Sequence, residues 1–212
     1  MMKSKLFILL FSASIFTLAS CTKDDPVPEI DQEEVSGATL FFTEVEAEAH
    51  GDHFHYHEIE GAETDSLVFS GTDFLPDPGA HLHLTAGKSY KFHLKIRDFS
   101  GRESQQTFVD RADQHFAFLL GAPEGSLDAT YADETSAGEK VQVGITGYLN
   151  VLEASDSFVF RYVMRHLNPG VKESIDTHED IFNADFANFG GANDLDLKFE
   201  MHFVAADGGH DH

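Results

Sequence analysis

Six histidines are the residues of this sequence whose spacing carries chemistry. His50, His53, His55 and His57 fall within eight residues, and His81 and His83 repeat the His-x-His spacing further along. On a β-strand alternate side chains share one face. His53, His55 and His57 therefore project together, with Phe54 and Tyr56 on the reverse. Same-face neighbours stand about 7 Å apart, close enough for their rings to converge on one ion about 2.0–2.1 Å from each nitrogen. His81 and His83 repeat the arrangement, backed by Leu82 and Leu84, and if the two segments are neighbours up to five imidazoles share a face. Asp52, Glu58 and Glu60 stand by as oxygen ligands or as acceptors that orient ring N–H groups. Neutral imidazole is the commonest protein metal ligand, so the expected chemistry is binding of a divalent transition metal by His50, His53, His55, His57, His81 and His83.

The rest of the composition narrows the metal. Cys21 is the sole cysteine, and Met164 and Met201 are the only methionines beyond the first two residues. So little sulfur disfavours Cu(I), and imidazole with carboxylate suits Zn²⁺, with Cu²⁺ and Ni²⁺ as alternatives. His93, His115, His166, His178 and His202 stand alone in the sequence and are expected to bind nothing, while His210 and His212 belong to a solvated tail. Three competing chemistries are weaker. His53-x-His55 followed by Glu60, with Pro78-Gly79-x-His81 later, partly matches a cupin metalloenzyme, but the Gly and Asn that complete those motifs are missing. Capture of haem between two axial histidines is permitted by the 20 Phe, yet no spacing demands it. An interaction or adhesion domain with incidental histidines needs no motif. No nucleophile elbow, phosphate loop or His-Glu-x-x-His is present, so an enzyme is not expected.

The elements that must position these residues read as β. Period-two runs cover residues 38–45, 53–60, 66–70, 81–84, 90–97, 115–120, 127–131, 141–149, 158–167 and 195–204, with turn residues between them. Short helices are expected at 110–114 and 175–188. The pattern predicts an all-β fold, an immunoglobulin-like antiparallel β-sandwich of about nine strands over residues 37–206, with Phe filling its core.

The N-terminus sets the compartment. Lys3 and Lys5 precede an apolar run and Leu18-Ala19-Ser20-Cys21, which resembles a bacterial lipoprotein signal peptide (1–20) with its lipobox. Cys21 is then the lipidated residue, and the chain is held to a membrane by its acyl groups without crossing it. Residues 21–36, acidic and containing Pro26 and Pro28, read as a tether, and 207–212 as a flexible His/Asp tail. The formal charge of −23 becomes −25 when the signal, with two lysines and no acid, is removed. Such a chain has no basic face for nucleic acid.

Five segments add a family resemblance. They are Gly-x-x-Leu-x-Phe at 37–42, Leu-Thr-Ala-Gly-Lys-Ser-Tyr opening 84–97, Asp-Gln-His-Phe-x-Phe at 113–118, Arg-His-x-x-Pro at 165–169, and Gly-Gly-x-x-Asp-Leu-x-Leu-x-Phe at 190–199. Together they resemble small outer-membrane lipoproteins of Bacteroidota found beside TonB-dependent receptors. Lys23-Asp24-Asp25 is similar to the surface-export signal of such lipoproteins. The resemblance implies a β-sandwich at the cell surface, anchored in the outer membrane, with an accessory role in nutrient uptake and a TonB-dependent receptor as partner. The His-x-His-x-His segment is no part of that pattern, so the metal expectation rests on this sequence alone.

Overall fold

The computed structural model describes residues 35–206 except Asp52. The signal segment 1–20, Cys21, the tether to residue 34 and the tail 207–212 lie outside the described residues.

Alternating side chains build the longest strands. In β1 (Gly37–His50), Ala38, Leu40 and Phe42 turn inward, and in β6 (Ser89–Arg97) Phe92, Leu94 and Ile96 do so, while Lys91, His93 and Lys95 take the other face. These two strands pair antiparallel at the centre of a seven-stranded sheet. β3 (Thr64–Ser70) and β4 (Leu75–Pro76) extend it on one side, and β11 (Thr146–Val151) and β8 (Leu127–Tyr131) on the other. β2 (His53–Glu58) pairs with the far end of β1. A four-stranded sheet takes the order β5 (His81–Thr85), β13 (Gly191–Val204), β12 (Phe158–Leu167), β7 (His115–Leu120). β9 (Asp133–Glu134) and β10 (Lys140–Val141) form a small ribbon. Phe199 of β13 meets Phe42 of β1 and Phe69 of β3 at ring-centroid distances of 6.3 and 5.8 Å, so both sheets close on one core. Each buried Phe contributes about 1.5–3 kcal/mol over its exposed state.

The fold is an all-β sandwich, as the alternation predicts. Among the described residues it has thirteen strands, ten of them five residues or longer. It departs from a wholly antiparallel arrangement at one place. After β4 the chain crosses to the other sheet through a turn closed by the Ala80 N–H on the Asp77 carbonyl, and β5 then runs parallel to β13.

Three local expectations change. The expected strand 141–149 is split, because the N–H groups of Val143 and Gly144 donate to the Asp133 carboxylate rather than to a neighbouring strand, with Thr146 N–H on its other oxygen. Gly144 there has φ +101°, and a Cβ would lie 2.6 Å from that of Ala117. The helix near residue 110 starts earlier, as α1 (Gln105–Asp110), because Phe108 and Val109 are the apolar pair that reaches the core. Residues 111–114 instead make the turn into β7. Segment 175–188 holds two short 3₁₀ turns, pinned by Ile181 and Phe186, in place of a helix.

Candidate metal centre

His115 opens β7 and His166 lies near the end of β12, directly opposite it in the antiparallel register. Cross-strand partners point to the same side of a sheet, and these two rings pack edge to face at 4.7 Å. They share that side with Met164 and Ala117, at the end of the inner face of the small sheet. The third member comes from an irregularity. β12 and β13 pair Met164 with Leu195 and then Arg165 with Asn193, so Asp194 is the extra residue of a β-bulge. A bulge re-aims a side chain out of strict alternation. Here it turns the Asp194 carboxylate inward beside Leu195, leaving the side chain 0 % exposed. Gly191 lets β13 approach: its φ is +147°, and a Cβ would fall 2.1 Å from the His166 carbonyl oxygen.

The turn between α1 and β7 fixes the protons. His115 Nδ1 lies 3.0 Å from the Arg111 carbonyl oxygen, which only accepts, so this nitrogen carries the hydrogen and Nε2 presents its lone pair. His166 Nε2 lies 3.2 Å from Gln114 Oε1. That atom also receives the Arg111 guanidinium, which identifies it as the amide oxygen. His166 Nε2 therefore donates, and Nδ1 presents its lone pair. Both lone pairs face the same carboxylate oxygen, His115 Nε2 at 3.4 Å and His166 Nδ1 at 3.7 Å from Asp194 Oδ2. Among the described residues no hydrogen bond reaches His115 Nε2 or either Asp194 oxygen.

With both rings neutral, the atoms that face one another in this buried space are all acceptors. Buried polar groups are nearly always paired, so His115 Nε2 and the Asp194 carboxylate form a group that could hold a metal ion. Two imidazoles and a carboxylate, with the outer ring nitrogens held by a carbonyl and an amide oxygen, are a donor set that divalent metals take. One ligand atom from each residue lies within 4.8 Å of the others. Tetrahedral zinc with ligands at 2.0–2.1 Å would set them about 3.3 Å apart, so the three side chains would have to close in to hold such an ion.

Charge around the centre is also arranged. The Lys172 ammonium donates to the His115 carbonyl at 2.8 Å and lies 4.3 Å from the Phe116 ring centroid, and burial pushes its pKa down to about 7. The Arg165 guanidinium donates to Asn193 Oδ1 and to the carbonyls of Phe189 and Gly191. Burial lowers its pKa, and the Asp194 carboxylate opposes that shift.

The histidines singled out by spacing lie elsewhere, on two different sheets. His50, His53, His55 and His57 occupy the exposed hairpin of β1 and β2. His81 and His83 lie on β5, with exposed side chains and Leu82 and Leu84 buried behind them. The two groups do not share a face of one sheet. His202 of β13 joins the second group, its ring 5.4 Å from that of His83. His93 is half-buried with Nδ1 2.9 Å from Thr146 Oγ1, and burial first, then Lys95 and Lys91, lowers its pKa.

His115, His166 and Asp194 have no spacing signal, since the histidines stand 51 positions apart and the aspartate a further 28 positions on. The available signal is burial. His115 begins the run His-Phe-Ala-Phe-Leu-Leu, and His166 is the penultimate residue of Phe-Val-Phe-Arg-Tyr-Val-Met-Arg-His-Leu. A histidine in such an apolar strand needs a buried partner. In comparisons with family models, with curated proteins and with solved structures, nothing matches this chain.

Proposed function

We propose that this chain is an extracytoplasmic metal-binding protein, tethered to the outer membrane through Cys21, with a resident divalent ion between His115, His166 and Asp194. The observation that carries the reading is the convergence of two imidazoles on a buried carboxylate that no hydrogen bond from the described residues reaches. Zinc is the ion that the donor set and its outer contacts suit best. The three side chains are 0–4 % exposed, which suits retention of an ion rather than turnover of a substrate, so the protein is a binding module and not an enzyme. The lipobox-like Leu18–Cys21 supports the tether. The family resemblance supports the cell surface as its location and a TonB-dependent transporter as its partner.

A second reading has its own observation. Two imidazole nitrogens lie within ion-pair range of one buried carboxylate oxygen, at 3.4 and 3.7 Å, so a ring proton in place of a metal would supply the positive charge as an imidazolium–carboxylate pair, closing one of these separations to about 2.7–2.9 Å.

Elemental analysis of the purified protein, followed by calorimetric titration of chelator-stripped samples with Zn²⁺, separates the two. One tightly held ion per chain, lost in His166→Ala and in Asp194→Ala, is the expected result. Failure of those two variants to lose a tightly held ion that the wild type carries, or absence of any such ion, overturns the assignment.

A further inference from the structure

We infer that the outward face of the β1–β2 hairpin is a second metal site, one that binds a divalent transition ion exchangeably from solution. Its geometry is independent of the buried triad. In the register of the hairpin, His50 opposes His53, Glu48 opposes His55 and Glu46 opposes His57. Opposed and alternate residues share a face, so four imidazoles and two carboxylates stand on one side. Ala47, Ala49, Phe54 and Tyr56 take the other.

The apolar side is held down. The Tyr56 ring stacks on Tyr148 of β11 at 3.8 Å with 4° between planes, and its hydroxyl exchanges hydrogen bonds with the Asn150 amide. Asn150 in turn accepts from Ser89 at 2.7 Å. Pinning the aromatic face against the large sheet orients the histidine face to solvent.

On that face one pair of ring nitrogens already sits at the separation that a metal imposes, and the other donors stand close by. His53 Nε2 and His55 Nε2 are 3.2 Å apart, against about 3.3 Å for the edge of a zinc tetrahedron. The His50 ring lies 4.6 Å from that of His55. Glu48 bridges the remaining two, with Oε1 3.3 Å from His50 Nε2 and Oε2 3.6 Å from His57 Nε2. The side chains of His50, His57 and Glu48 are 52–62 % exposed. Exposed rotamers reorganise in picoseconds to nanoseconds, so rings and carboxylate close on an ion without disturbing the core, and water keeps access to it. The ligand class is a borderline divalent ion that imidazole favours, with Zn²⁺ the probe and Cu²⁺ bound more tightly by the general affinity order.

The test uses the full chain loaded with Zn²⁺ and mixed with a colorimetric chelator in stopped flow. The wild type is expected to release a fast population from the hairpin. In His53→Ala/His55→Ala the fast population disappears and affinity for added Zn²⁺ in that class falls by more than about 100-fold, beyond what loss of an outer-shell partner causes. The fast population persists in His166→Ala and in His81→Ala/His83→Ala, which separates this site from the buried triad and from the β5 histidines. The hairpin substitutions are on exposed side chains, and an unchanged far-UV spectrum checks that the fold is intact. A fast population that survives the hairpin double variant, or that vanishes instead in His81→Ala/His83→Ala, overturns the inference.

Discussion

Replacing Asp194 by Asn, in a His53→Ala/His55→Ala parent whose hairpin no longer takes zinc and which serves below as the wild type for the buried centre, changes one atom of that centre and separates a metal from a proton by opposite signs. In the metal reading, the stripped wild-type protein holds facing acceptors. Zinc at 100 times its dissociation constant then stabilises it by about 2.7 kcal/mol. For a domain of this size, 1 kcal/mol moves Tm by about 2–4 °C, so zinc raises the wild-type midpoint by about 5–11 °C. In Asp194→Asn the amide offers an N–H to one of the lone pairs 3.4 and 3.7 Å away. A hydrogen bond of that kind contributes about 1 kcal/mol. The stripped variant is therefore as stable as the stripped wild type or slightly more so, and the zinc-dependent rise is lost. In the proton reading the same substitution removes one partner of a buried ion pair, at a cost of about 3–5 kcal/mol. Tm then falls by about 6–20 °C and zinc does nothing to the wild type. The chain has no Trp, so unfolding is followed by far-UV circular dichroism or calorimetry. A depressed midpoint in stripped Asp194→Asn, with a wild type indifferent to zinc, refutes the metal centre.

Three other perturbations have outcomes of definite sign. Gly191→Ala places a Cβ 2.1 Å from the His166 carbonyl oxygen at φ +147°; the strain is expected to cost about 1–3 kcal/mol or more and to weaken zinc retention, read by denaturant unfolding and metal content, and wild-type values would contradict the close approach. Cys21→Ser is expected to abolish lipid labelling and membrane recovery in the producing bacterium while leaving the far-UV spectrum of the purified protein unchanged; continued membrane recovery would count against the tether. His93 has a folded pKa held below 6.5 by burial, Lys95 and Lys91, so below pH 6.5 the unfolded chain takes up a proton that the folded chain resists. Its contribution to stability is present above pH 6.5 and is lost as pH falls from there through the lowered value, so denaturation of His93→Gln between pH 7.5 and 5 should show a shallower loss than wild type, and equal slopes would refute the shift.

The fold was legible where one face of a strand had to be dry. The alternation of Phe92, Leu94 and Ile96 with Lys91, His93 and Lys95 specifies β6, and the inward run Leu195, Leu197, Phe199, Met201 and Phe203 specifies most of β13. It was not legible where backbone groups found side-chain partners. Residues 141–149 read as one strand because Val141, Val143 and Ile145 alternate. The distant Asp133 carboxylate takes the N–H groups of Val143 and Gly144, and no local pattern announces that. Likewise, Ile181, Phe182 and Phe186 have an apolar spacing that suits a helix, whereas tertiary packing uses Ile181 and Phe186 as two separate anchors.

The histidines divide along the same physical line. Those on the hairpin and on β5 were visible because local spacing alone puts them on one face of a strand. His115, His166 and Asp194 were not, because their meeting depends on a cross-strand register and on a bulge. A one-residue shift of β13 against β12 would turn Asp194 away and leave two imidazoles facing a Leu or an Asn. The bulge is therefore as much a part of the candidate centre as the three side chains that meet there. Deleting one residue of the bulge, Asn193 for instance, should restore a regular ladder while abolishing metal retention, even though no ligand is removed. Retained metal in that deletion variant, with a folded far-UV spectrum, would show that the carboxylate reaches the histidines without the bulge and that the irregularity does not create the site.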